Sequence, residues 1–217
     1  GNEIWNSGED SIIYYNLLDD GQFFGAQYIP SNTYEYVGTE FSLTEGIKWQ
    51  EPNDEFVHHE FMQLPWGDYM GIAHNYQLGP IHATDFYKLL YENQYGMFAD
   101  GMTNEWPWQG DRLVIWDKDS KEIQWTWSAF DHFSMDDYEA GLWQTPPLPQ
   151  PDNYFDWTHI NAFYFDSTDN SIYISTRNLS RITKIQYPSG EIIWNMGHEM
   201  PSGDVDFGID LGFSHQH

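Results

Sequence analysis

The 217-residue chain has no cysteine at all, and only eight lysines and arginines stand against 34 aspartates and glutamates. Without cysteine, disulfide staples and thiolate metal sites are excluded. A formal charge of −26 excludes nucleic acid and anionic membrane surfaces as partners, since both would be repelled. No stretch approaches the roughly 20 consecutive apolar residues that span a bilayer, so no membrane span is expected. Sustained helical periodicity is also scarce. A signal-like leader is not visible; the sequence opens on Gly1 and closes on His217. Both ends read as cut, so the chain is expected to be an incomplete piece of a longer protein.

Aromatic residues, by contrast, are abundant. They make up 18% of the chain, with 11 tryptophans, beside 18 glycines and 11 prolines. That mixture suits short strands separated by tight turns. Apolar and polar residues alternate over short runs such as Ser171-Ile172-Tyr173-Ile174-Ser175, the period of a half-buried strand. The fold class is therefore all-β.

One signature recurs, a turn and a short apolar strand ending in tryptophan. It occurs as Glu3-Ile4-Trp5, Gly46-Ile47-Lys48-Trp49, Glu122-Ile123-Gln124-Trp125 and Gly190-Glu191-Ile192-Ile193-Trp194. The first interval fits one four-stranded propeller blade of about 40–45 residues, and the longer ones fit a blade with inserted segments. Residues 112–125 and 181–194 each read as a hairpin ending in the tryptophan. Residues 61–72 and 162–174 read as the hairpins that precede them. We expect an incomplete β-propeller over residues 1–217, with blades at about 8–52, 53–129 and 152–199 and partial blades at both ends. Insertions are expected at 74–110, with one short helix between His82 and Tyr95, and at 130–151. The second insertion carries the extended run Pro146-Pro147-Leu148-Pro149-Gln150-Pro151. The acidic hairpin turns 117–119 and 166–170 do not complete a calcium-loop pattern.

Histidines stand where each later blade begins, in Val57-His58-His59-Glu60-Phe61, Asp156-Trp157-Thr158-His159-Ile160-Asn161 and Phe213-Ser214-His215-Gln216-His217. Residues entering an innermost strand face a propeller's channel, so these side chains are expected to converge. The other histidines, His74, His82, His132 and His198, read as structural or exposed.

These segments, with Ile174-Ser175-Thr176-Arg177, Gln124-Trp125-Thr126-Trp127-Ser128, Asp131-His132 and Gly190 to Gly197, resemble the aryl-sulfate sulfotransferase family from about residue 45 onward. The resemblance implies a propeller enzyme that moves a sulfuryl group from an aryl sulfate to a phenol without a nucleotide donor or any cofactor. It implies that His217 is the transient sulfohistidine. His159, Arg177 and one of His58 or His59 would hold the sulfuryl oxygens, with His59 favoured because it adjoins Glu60. It also implies a periplasmic or extracellular location and small-molecule partners, an aryl sulfate and a phenol. The chemistry suits the residue types. A neutral imidazole is a competent nucleophile, and cationic donors suit charge spread over sulfuryl oxygens. Converging histidines also invite a metal reading, but an HExxH pair is missing and Arg177 beside a cation is unfavourable, so no metal is assigned. The alternative from another class is a non-catalytic propeller binding a glycan, peptide or protein, since fold alone does not select function.

Overall fold

The computed structural model describes residues 8, 11–18, 21–30, 34–52, 55–139, 154–208 and 213–217. Three four-stranded antiparallel meanders follow one another along the chain. The first holds β1 (Ile12–Leu17), β2 (Gln22–Pro30), β3 (Tyr34–Ser42) and β4 (Gly46–Gln50). The second holds β5 (Val57–Gln63), β6 (Tyr69–Pro80), β7 (Asn104–Trp116) and β8 (Ile123–Ser128). A two-residue strand, β9 (Phe155–Asp156), adds to it by pairing parallel with β7. The third holds β10 (Ile160–Asp166), β11 (Ser171–Thr176), β12 (Arg181–Gln186) and β13 (Ile192–Gly197). All four hairpins expected from the sequence are present. The Glu3-Ile4-Trp5 repeat and the proline run at 146–151 lie outside the described residues.

Segment 74–110 is not a loop grafted onto the second sheet. Its ends continue the central hairpin, in register from His74↔Asp111 to Leu78↔Pro107. Buried tryptophans at 106 and 108 alternate with the less buried Glu105 and Pro107, so the strands extend beyond the body of the sheet. Between them runs a short helical segment, α1 (Asp85–Tyr87), a π-turn (Lys88–Glu92) and α2 (Asn93–Tyr95), where one helix was expected. Thr84 caps it by accepting the Tyr87 amide at 3.1 Å.

The apolar faces meet in two cores. One lies between the first and second sheets and contains Phe24, Trp49, Val57, Phe61, Tyr69 and Trp116. The other joins the second sheet to the third and contains Met70, Ile72, Leu113, Ile115, Phe163, Phe165, Ile172 and Ile174. The second sheet is thus covered on both faces. The repeated tryptophans perform the same task twice. Trp49 donates its indole N–H to the Lys118 carbonyl at 2.9 Å, and Trp125 donates to the Pro188 carbonyl at 2.8 Å. In each case a last strand is tied to the outer turn of the following sheet, which places the motif in inter-sheet packing.

A fully buried ion pair stands behind the third sheet. Arg181 Nη2 donates to Asp137 Oδ2 at 2.7 Å, and Asp137 also accepts from the Ser202 amide and hydroxyl. Phe133 covers the guanidinium. These bonds hold the segment after α3 (Ala129–His132) against the sheet. Among the described residues, no helix is long and apolar enough to cross a membrane.

Candidate active site

The first strands of the second and third sheets carry extra residues at corresponding places. In β5, Val57 pairs with Ala73 but the next pair is Phe61↔Gly71, so residues 58–60 bulge out of the ladder. In β10, Ile160 pairs with Thr176 and Ala162 with Ser175, again with an unmatched residue. Bulges of this kind re-aim side chains. His59, inside the first bulge, and His159, the residue just before β10, have left-handed backbones, at φ 61° and φ 51°. Such a conformation costs a non-glycine residue about 1–3 kcal/mol and persists only where its surroundings enforce it.

The enforcing groups centre on Asp111, a buried carboxylate on β7. Its Oδ2 accepts from the Thr158 hydroxyl and the Ile160 amide, both at 2.6 Å. Its Oδ1 lies 3.1 Å from His58 Nε2 and 3.3 Å from His74 Nδ1. The His58 contact falls short of a well-aligned hydrogen bond. Residues 155–157 therefore run along the second sheet before the chain enters the third. The Trp157 amide donates to the Gln109 carbonyl at 2.8 Å, and Asn178 Nδ2 donates to the Asp156 carbonyl at 2.8 Å.

This scaffold brings three imidazoles together. The His59 ring centroid lies 4.9 Å from that of His159 and 5.3 Å from that of His217, while His159 and His217 are 6.2 Å apart. The terminal segment is fixed beside them. Asn161 Nδ2 donates to the Gln216 carbonyl at 2.7 Å, Gln216 Nε2 donates to the Arg181 carbonyl at 3.1 Å, and the His215 amide donates to Ser180 Oγ at 3.0 Å. The Arg177 amide donates to the His159 carbonyl at 3.1 Å, and its Nη1 donates to Asn178 Oδ1 at 2.8 Å. Its charge opposes protonation of His159.

His58 is not one of the three. It lies half-buried beside His59, stacked on His74 with centroids 4.0 Å apart and its Nδ1 2.7 Å from His59 Nδ1. The carboxylates serving the histidines are Asp111 and Asp156. Glu60, adjacent to His59 in sequence, acts electrostatically on Tyr15 of the first sheet. Asp156 was given no role from the sequence, although its place three residues before His159 is a short-range signal that could have found it. Asp111 and His74 carry no local signal, because only the pairing of β6 with β7 brings them to the site.

Electrostatics separates the imidazoles. His159 is raised above its ordinary pKa, chiefly by its 2.6 Å hydrogen bond from Nδ1 to Asp156. His59 is lowered to about 4, first by burial and then by the neighbouring His58, His159 and His217. Burial also lowers His58. Burial works to raise Asp111, but the contacts from His58 and His74 prevail and hold it below the usual carboxylate range. If His58 directs Nε2–H at Asp111, its Nδ1 accepts from His59 Nδ1–H, and the His59 Nε2 lone pair faces the pocket. Exposed Tyr76 and Tyr154 pack edge to face at 5.6 Å, with Tyr76 6.2 Å from His74.

A search of curated proteins found no match. The sequence signature of the arylsulfotransferase (ASST) family matches residues 89–202, more than half of the chain. That span covers β7, β9, the whole third sheet, Asp111, Asp156, His159 and Arg177. The chain belongs to the arylsulfotransferase family.

Proposed function

We propose that the three sheets are successive blades of a β-propeller enzyme that carries a sulfuryl group from an aryl sulfate to a phenol through a sulfohistidine on His217. The observation that supports this is the meeting of His59, His159 and His217, delivered by two bulged strands and the terminal segment beside Arg177. Family membership supports a sulfotransferase-type activity on small molecules.

In the first half-reaction a ring nitrogen of neutral His217 attacks sulfur. The N–S bond forms as the S–O bond to the aryl group breaks, and the departing phenolate takes a proton from His159. Asp156 favours the protonated His159 that this step requires. His59 presents a lone pair to the remaining N–H of His217 and so orients the nucleophile. Arg177 offers positive charge to the sulfuryl oxygens in flight. In the second half-reaction the acceptor phenol returns a proton to His159 and its oxygen attacks sulfur. The N–S bond breaks and neutral His217 is regenerated. Tyr76 and Tyr154 offer flat faces to the aryl ring. Export to the periplasm or the cell exterior belongs to the same proposal.

The test is incubation with 4-nitrophenyl sulfate followed by peptide mass spectrometry under alkaline conditions. A sulfuryl adduct on the His217 peptide that disappears when phenol is added is expected. An adduct confined to another residue, or none on folded protein, would overturn the assignment.

A further inference from the structure

The same three rings permit a chemistry that sulfuryl transfer does not use. We infer that His59, His159 and His217 bind one divalent transition-metal ion of the zinc class, in competition with the anionic ester. One ring nitrogen of each lies within 4.8 Å of those of the other two. The ring planes are inclined to one another by 70°, 63° and 51°, so their lone pairs can converge on a point. Nitrogen ligands bonded to tetrahedral zinc at about 2.0–2.1 Å stand roughly 3.4 Å apart, a contraction that side-chain rotation supplies.

The outer contacts match those of metal-binding imidazoles. His159 is held through Nδ1 by Asp156, and His59 through Nδ1 by His58, which itself backs onto Asp111. These two rings are thereby fixed at Nδ1 and leave Nε2 for an ion. His58, His74 and Asp111 form a second close group. There the imidazoles are stacked at 18°, so their lone pairs lie in nearly parallel planes, and Asp111 Oδ2 is already taken by Thr158 and Ile160. That group is a hydrogen-bonded support.

Whole-molecule charge points the same way. A chain of formal charge −26 enriches divalent cations at its surface and depletes anions. Arg177 is the nearby group that disfavours a cation. A three-nitrogen ion keeps an open fourth position for water. The inference uses the pocket of the proposed reaction but none of its steps, so the two can fail separately.

The experiment is titration of the metal-free protein with Co2+, followed by visible absorption and calorimetry. One equivalent should bind with the d–d bands of a tetrahedral site, and Zn2+ or an aryl sulfate should displace it. His59→Ala and His159→Ala should abolish the bands, whereas His198→Ala, outside the trio, should leave them unchanged. Asp156→Asn, which alters only the outer contact, should weaken affinity roughly 10–100-fold. If an alanine variant fails to fold by circular dichroism, His159→Gln and Asp156→Asn carry the same test. Folded wild-type protein without the bands, or bands that persist in both alanine variants, would overturn the inference. Co2+ binding without a His217 adduct in metal-free protein supports the metal site and removes the transferase reading. An adduct in protein that ignores Co2+ removes the metal site alone.

Discussion

At the scale of single residues, the site depends on Asp111, which no ligand need touch. This one carboxylate receives an amide, a hydroxyl and two imidazoles from both sides of the boundary between the second and third sheets. Asp111→Asn removes the charge behind those contacts, of which the two 2.6 Å hydrogen bonds from Thr158 and Ile160 are each worth about 1.5–3 kcal/mol when one partner is ionised. The variant should unfold at clearly lower denaturant concentration than the wild type. Unchanged denaturation would show that Asp111 does not hold the boundary. His82 makes a separate prediction. Buried and stacked on Tyr138 at 3.4 Å, it is lowered to about 4 from its ordinary 6.5. The fold therefore favours its neutral form. The resulting stability is present above pH 6.5 and is lost as pH falls toward 4, where the unfolded chain binds the proton first. His82→Phe should flatten the acid limb of a Tm-versus-pH curve and leave its value near pH 8 little changed. An identical acid limb would contradict this.

At the scale of elements, the sequence was readable where period and turn chemistry speak locally. Strand alternation, the acidic turns at 117–119 and 166–170, the Pro/Gly turn within 61–72 and the repeated tryptophan defined all four expected hairpins. Their joining was less visible. β6 and β7 extend through a region that reads as an insertion because Gly79, Pro80 and Pro107 punctuate it, while burial of Trp106 and Trp108 overrides those breaks. The histidines at strand entries were legible as a recurring pattern. Between His58 and His59 the sequence favoured His59 for its adjacency to Glu60, but the aim of that ring depends on bulge geometry that a one-residue register decides. Close packing at these elements allows a direct test. A Cβ on Gly71 would stand 2.6 Å from Val57 Cγ1 and 3.1 Å from Phe61. Gly71→Ala should cost about 1–3 kcal/mol through overpacking, read as a lowered Tm. An unchanged Tm would mean that β5 can move away from β6, and the bulge bearing His59 with it.

At the scale of the molecule, the charge of −26 opposes the approach of any sulfate ester. Screening shortens that repulsion, with a Debye length of about 10 Å at 0.1 M salt. Transfer from an aryl sulfate should therefore speed up as moderate salt is added, mainly through kcat/KM. A rate falling steeply with salt would point to local attraction at Arg177 outweighing the acidic field. The same screening should weaken Co2+ binding, so salt is expected to move the two ligands in opposite directions.

The lead-in strand β9 has a consequence for inheritance. Residues 155–157 are paired to one sheet and the chain continues into the next, and Asp111 on the earlier sheet fastens Thr158 and Ile160 on the later one. A single repeat of this fold is therefore not a free-standing module that recombination can exchange. Among relatives, position 111 and position 158 should vary together, and a third sheet transplanted without its matching β7 should arrive with its histidine aimed at nothing.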